Sequence, residues 1–189
     1  LSSLYLSIKD KVDFVEGDVR NLNDWKTAIK GQDAVIHLAA ETGTGQSMYE
    51  IEKYVDVNIK GTAIMLDLLA NKDHQVNKVV VASSRSIYGE GKYYCEKRGF
   101  IFPNSRLEQD LSNGKFDVSF DIPKLKLRLC PTDENSKIHP SSIYGITKQN
   151  QEQMVLVACK SMSISACALR YQNVYGPGQS LSNPYTGIL

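Results

Sequence analysis

The chain has 189 residues, 42% hydrophobic and 23% charged, with 22 Lys and Arg against 21 Asp and Glu. That is enough chain for one domain with a core, and the balanced charge leaves no electrostatic footprint for nucleic acid or an anionic membrane. No apolar run approaches the ~18 residues of a membrane span and no signal-peptide pattern is visible. Four cysteines are too few for a disulfide scaffold at this length, so a reducing, cytoplasmic setting is expected.

In chain order, "VDFVEGDV" (12–19) is β-branched and aromatic with a Gly-Asp stop, and reads as a strand. "NLNDWKTAIKG" follows as a short helix, with Asn21 as N-cap and Gly31 as the stop. "DAVIHLAA" (33–40) is a continuous apolar run of the kind buried on both faces of a sheet. A Gly/Thr/Ser loop covers 41–49. From about 51 to 71 apolar residues recur at helical spacing, with Gly61 in their midst, a costly choice unless something packs close there. "NKVVVASS" (77–84) is a second buried strand, about 142–160 is helical, and "SISACALR" (163–170) is a further strand.

Strand alternating with helix is the rhythm of an α/β fold with a doubly wound parallel sheet. Ligands in such sheets sit beyond the carboxyl ends of the strands. The stretches following the strands, Asp18-Val19, Ala39 to Gly45, Ser83-Ser84 and Tyr171 to Gly178, should therefore converge on one crevice. Residues from about 90 to 140 break the rhythm and read as an inserted excursion. The chain starts without Met and stops at "SNPYTGIL", so both ends look cut.

Tyr-x-x-x-Lys occurs five times: Tyr5/Lys9, Tyr49/Lys53, Tyr88/Lys92, Tyr93/Lys97 and Tyr144/Lys148. Only the last pair is expected both to sit in the first turn of a long helix, capped by Ser141 or Ser142, and to accompany a serine at a strand end. A tyrosine with its ordinary pKa near ~10 is a poor base. A lysine cation one turn away favours the phenolate, and a serine hydroxyl opposite can hold the same substrate oxygen.

"GDV", "VIHLAA", "VNIKGT", "VVVASSRSIYG", "YGITK" and "LRYQNVYGPGQ" stand in the order seen in the extended short-chain dehydrogenase/reductase family, the NAD-dependent sugar-nucleotide epimerases and dehydratases, which the chain resembles over nearly its whole length. The resemblance implies a Rossmann-like fold, NAD as cofactor, a nucleotide-sugar substrate and a homodimer at full length. It implies Ser84, Tyr144 and Lys148 as the catalytic trio, with Lys148 also holding the nicotinamide ribose. Asp18 and Val19 would meet the adenine, and Leu38, Ala39 and Ala40 would line the pyrophosphate and ribose path. Asn58 would lie near the cofactor and Tyr171 beside the nicotinamide, while Thr42, Thr44 and Asn173 would reach the substrate. The implied reaction is epimerisation: Tyr144 removes the 4-hydroxyl proton, NAD takes the C4 hydride, and hydride returns to the opposite face.

The chain also departs from the family pattern. No glycine-rich turn precedes residue 18, so residues 12–19 should be the family's third strand and 33–40 its fourth, with the first strand and most of the substrate domain missing. Two strands belong between these two, so about 10 Å or more should separate them. The region from about 171 to 189 would begin the substrate-binding part. Where a 4,6-dehydratase carries an Asp-Glu pair after the catalytic Ser/Thr, Arg85 and Ser86 stand here, which ranks dehydratase chemistry well below epimerisation, with a decarboxylase or simple reductase of the family as further alternatives. A non-catalytic remnant is the reading from another class, and the intact trio argues against it. Cys95 and Cys130, with His139 as a third candidate, fall short of the four ligands of structural zinc, so no metal and unpaired cysteines are expected.

Overall fold

In a computed structural model, residues 3–118, 126–177 and 179 are described. A parallel sheet in the order β1-β2-β6 is built from β1 (Ala34–His37), β2 (Lys78–Ser84) and β6 (Ser165–Tyr171). The register aligns Val35 with Val79, Val79 with Ala166, and Ser84 with Tyr171. Side chains alternate between faces along a strand, so Val35, His37, Val79, Val81, Ala166 and Ala168 share one face. That face is covered by three helices, α2 (Leu22–Ile29), α4 (Gly61–Asn71) and α6 (Ile143–Ser161). Trp25, Ile29, Met65, Leu66, Leu69, Val79, Val81, Val155 and Cys159 form the core between them.

Two of these helices, α2 and α6, begin where the sequence supplies a cap. The Asn21 side chain accepts from the Asn23 N–H, and the Ser142 hydroxyl accepts from the Gly145 N–H, so a donor at each start is satisfied. The helix expected over 51–71 is interrupted: α3 (Ile51–Tyr54) passes through a π-helical turn, Val55–Lys60, into α4. Gly61 sits at that junction. A Cβ there would lie 2.8 Å from Val19 Cγ2, so the close neighbour is the segment that follows residue 18.

Two expectations need correction. Residues 12–18 form no strand, although they stay unpaired with β1 as expected; Val12, Phe14 and Val15 are exposed. A β-branched run becomes a strand only against a partner edge, and this one is held instead through Val19, whose carbonyl accepts from Trp25 Nε1 at 2.7 Å. The run in β1 is also covered on one face alone. Ile36 is 68% and Leu38 60% exposed, because β1 has β2 as its strand partner and the helices lie behind His37.

The excursion carries a second, antiparallel sheet in the order β4-β3-β5, from β3 (Tyr93–Cys95), β4 (Gly99–Ile101) and β5 (Arg128–Leu129), with a short helix α5 (Glu108–Ser112) between β4 and β5. The short helix α1 (Ser3–Ile8) opens the described chain. Among the described residues no helix is long and apolar enough to cross a membrane.

Candidate active site

The carboxyl ends of β2 and β6 and the start of α6 meet at one place. Ser84 ends β2 directly opposite Tyr171 at the end of β6. It is buried and caps the 3-10 turn Arg85–Tyr88: its Oγ accepts from the Ser86 N–H at 3.1 Å and lies 3.2 Å from Ser86 Oγ. Burial pushes the Tyr144 phenol above its ordinary pKa, and a hydrogen bond with the Ser84 hydroxyl works against that push. The start of α6 packs against that turn, a Cβ on Gly145 lying 2.7 Å from Ser86 O, which brings Tyr144 beside Ser84. The Tyr144 backbone N–H donates to Ser47 Oγ at 3.0 Å, which ties the start of α6 to the loop after β1.

Lys148 behaves differently from the expectation. Its side chain is buried, and its ammonium donates to Gln151 Oε1 at 2.7 Å. Burial pulls the amine down to about 8. The lysine-driven fall in the phenol's pKa that the spacing suggested is not what this geometry gives: burial dominates at Tyr144, and the lysine's hydrogen bond is spent one turn along its own helix.

Asn58 sits in the π turn, fully buried, and joins three segments. Its Oδ1 accepts from the Glu41 N–H at 2.8 Å, while its Nδ2 donates to Glu41 O at 3.1 Å and to Thr147 Oγ1 at 2.9 Å. A single amide thus pins the loop after β1 to α6, and a π turn is a frequent device for re-aiming such a side chain. Tyr54, with its hydroxyl bonded to the carbonyls of Thr42 and Gly43, stacks edge-on to Tyr144 at 6.4 Å between centroids.

The remaining sequence-derived residues divide into two groups. Thr42 and Thr44 are exposed, and their carbonyls rather than their hydroxyls hold the loop, with Ser47 Oγ donating to Thr44 O at 2.6 Å. Leu38 and Ala39 are open and Ala40 half-buried, all just past β1. Tyr171 and Asn173 are exposed at and after the end of β6. Asp18 lies apart from the trio's hydrogen bonds: Arg20 grips it at 2.6 Å, lowering its carboxyl to about 2, and also reaches Asp56 at 3.2 Å. Gly178 and residues 180–189 lie outside the described residues.

The four other Tyr/Lys pairs lack this setting. Tyr49 is 90% exposed and precedes α3. Tyr88 and Lys92 are separated by Gly89 at φ 55° and Gly91 at φ 88°, a left-handed path no helix follows. Tyr93 lies in β3, and Tyr5 in the short α1. Cys95 is buried at the end of β3, while the Cys130 N–H bonds Lys92 O beyond its other end.

Residues that sequence reasoning passed over include Gln151, Thr62, Ser47 and the pair Glu152–Arg170. Arg170 chelates Glu152 at 2.6 and 3.1 Å and donates to the Tyr88 hydroxyl at 2.6 Å and to Glu134 O at 2.9 Å. The available signal was spacing: Gln151 is three residues past Lys148 and seven past Tyr144, on the same helical face.

The model of the NAD dependent epimerase/dehydratase family matches residues 3–105 and 123–188. The chain belongs to this family. The match skips 106–122, a narrower interruption than the excursion from about 90 to 140. The dTDP-L-rhamnose 4-epimerase of Burkholderia thailandensis is 33% identical over 97% of the chain, and the chain spans 50% of that relative's length. The UDP-glucose 4-epimerase of Brucella ovis, solved in complex with NAD, is 26% identical with a TM-score of 0.59, covering 85% of the chain and 38% of that protein. The UDP-glucuronic acid 4-epimerase of Bacillus cereus shares the fold with a TM-score of 0.66 at 24% identity, covering 96% of the chain and 46% of that protein.

Proposed function

We propose that the protein is an NAD-dependent epimerase that inverts C4 of a nucleotide-activated sugar. The observation that carries this reading is the phenol of Tyr144 beside the Ser84 hydroxyl at the carboxyl end of β2, with Lys148 one turn further along α6. Family membership and the 4-epimerase relatives support it.

The residues present suit part of a dinucleotide. Open Leu38 and Ala39 with Ala40 offer a small apolar shelf past β1, and Tyr144 and Lys148 offer a hydroxyl and an ammonium for a ribose. When bound, NAD supplies the hydride acceptor and donor. The work of the chain is to hold the sugar's C4 oxygen and to move its proton. Ser84 Oγ accepts from the Ser86 N–H and donates to Ser86 Oγ, so it offers its proton to that oxygen by turning away from the Ser86 hydroxyl. Tyr144 is the group that takes and returns the C4-hydroxyl proton, and Lys148, held by Gln151, is the cation whose two remaining N–H groups can turn towards its phenolate. In this reading Thr42, Thr44 and Asn173 line the sugar and diphosphate, Asn58 and Tyr171 border the nicotinamide, and Asp18 and Val19 border the adenine.

Arg85 is exposed, and Ser86 is spent on Ser84, so the turn after β2 presents no acid and base pair for water elimination. That favours epimerisation over the dehydratase alternative. The same proposal includes a homodimer at full length, supported by exposed Ile51 and Val55 beside exposed Ile146 and Val157 on the neighbouring α6. It also includes a cytoplasmic setting, in keeping with four free cysteines, and a substrate region that starts at about 171.

The test is turnover by the full-length gene product with NAD and a panel of UDP- and dTDP-sugars. Tyr144→Phe should lower kcat on the order of 10²-fold or more, while Tyr49→Phe and Tyr93→Phe leave it nearly unchanged. Equal losses at all three positions would overturn the assignment.

A further inference from the structure

Beneath Lys148 lies a closed polar cluster that the proposed reaction does not use. Lys148 Nζ donates to Gln151 Oε1 at 2.7 Å, and Gln151 Nε2 donates to Thr62 Oγ1 at 2.8 Å. Thr62 Oγ1 donates in turn to Asn58 O at 2.7 Å. His37 Nε2 stands 2.9 Å from Thr62 Oγ1 and 3.3 Å from Gln151 Nε2. Gln151, Thr62 and Asn58 are fully buried, and His37 and Lys148 nearly so.

Proton counting fixes the orientation of this cluster. An ammonium carries donors and no acceptor, so Gln151 must present its carbonyl oxygen to Lys148 and its NH₂ to Thr62. The Thr62 proton is committed to Asn58 O, so His37 meets Thr62 by donating from Nε2. Turning the Gln151 amide over would set an NH₂ against the ammonium and a carbonyl against the hydroxyl it now donates to. Both bonds would be lost in a buried place, where unmet polar groups are costly. The Gln151 oxygen is therefore a fixed point. It takes one of the three N–H groups of Lys148 and leaves two.

We propose that Gln151 is a positioning residue for Lys148: its amide, oriented by Thr62, tethers the ammonium at one N–H and decides how far the other two reach towards Tyr144. The proposal rests on the reading of Lys148 as the partner of Tyr144. The titratable groups around the ammonium are His37 on β1, Tyr144 one turn earlier on α6, and Glu152 beside Gln151, whose charge is taken by Arg170 of β6. The helix segment 55–71 faces the cluster with the neutral Asn58 and Thr62.

The test compares Gln151→Met, which keeps the length but removes the acceptor, with Gln151→Glu, which keeps an acceptor and adds a charge. In each, the titration of Lys148 is followed by the carbon-13 resonance of its ε-carbon, assigned by its loss in Lys148→Arg. The Met variant should move that titration below the value of about 8 and the Glu variant above it. In the full-length gene product, Gln151→Met should lower kcat about tenfold at unchanged KM, as for loss of a hydrogen bond to a charge. The alkaline limb of the pH–rate profile should follow the lysine in both variants. Should Gln151→Met not fold, Gln151→Asn withdraws the amide by one methylene and serves the same comparison. Folded variants whose Lys148 titrates as in the parent protein would overturn the tether. If the titration moves in opposite directions but no nucleotide sugar is turned over by the parent protein, the functional reading falls and the tether stands.

Discussion

In the parallel sheet Val79 and Val81 are buried under helices, whereas in the antiparallel sheet of the excursion Phe100 and Leu129 remain open to solvent. The first sheet is held by a continuous core and by buried polar links between distant segments, Asn58 to Glu41 and Thr147, Arg170 to Glu152 and Tyr88. The second has strands of two or three residues, with Lys92 over the Phe100 ring at 4.6 Å and Arg128 over Tyr94 at 5.5 Å. Cys95 and Ile101 are its buried members. The difference separates a scaffold whose side chains are held by packing and buried hydrogen bonds from a surface layer held mostly by exposed contacts.

The largest effect that can test this comparison is at the Glu152–Arg170 pair. Burial raises the Glu152 carboxyl, and the hydrogen bonds led by Arg170 more than offset it, so the carboxyl is lowered and the pair is charged in the folded state. Glu152→Ala should cost about 3 kcal/mol in denaturant unfolding, since it leaves a half-buried guanidinium without its carboxylate. The matching change in the excursion, Glu90→Ala, removes a pair with Arg106 at 3.3 Å that water reaches on one side. That should cost under about 1 kcal/mol. Similar losses at both sites would remove the distinction between scaffold and surface layer.

The same contrast explains what was legible beforehand. The elements of the parallel sheet declared themselves because apolar residues run unbroken through "VIHLAA" and "KVVVASS", and because Asn21 and Ser142 stand where caps are needed. Gly61 also signalled its close approach, although the π turn behind it was hidden, since backbone pairing at i+5 leaves no mark in composition. "VDFVEGDV" misled because propensity describes a residue's preference and not the edge it requires. The Tyr144/Lys148 pair was singled out by spacing and context. Its electrostatics were not, because the acceptor for Lys148 and the burial of Tyr144 arise only when β1, the helix segment 55–71 and α6 are packed together.

His37 offers a smaller effect confined to the scaffold. Burial first, and the nearby Lys148 cation second, lower its pKa from 6.5 to about 4. Between those values the unfolded imidazole binds a proton that the folded one refuses. The unfolded state therefore holds more protons in that window, and stability falls as pH drops through it. The fall due to this group is up to about 3 kcal/mol, taking ~1.4 kcal/mol per pH unit. His37→Asn should flatten the dependence of unfolding free energy on pH between 6.5 and 4, whatever it does to stability at pH 7. An unchanged slope would mean that the imidazole finds a proton partner on acidification and that the cluster under Lys148 is looser than its hydrogen bonds imply.

The smallest effect belongs to the excursion. Tyr94 sits in β3, half-buried, with the Arg128 guanidinium above its ring and Phe100 edge-on at 5.6 Å. A cation over an exposed ring contributes about 0.5–1 kcal/mol, and an aromatic pair about as much again. Tyr94→Leu keeps the apolar bulk and removes the ring's negative face, so the expected loss is about 1 kcal/mol in thermal or denaturant unfolding. Addition of salt should weaken the parent's advantage, because the guanidinium is exposed to counterions. The change should leave the Lys148 titration where it is, since no hydrogen bond of the cluster under α6 runs through β3. A loss above about 2 kcal/mol, or a moved lysine, would mean that the excursion bears on the scaffold through the carbonyl of Glu134 that Arg170 holds. The antiparallel sheet would then be part of the machinery that sets the site.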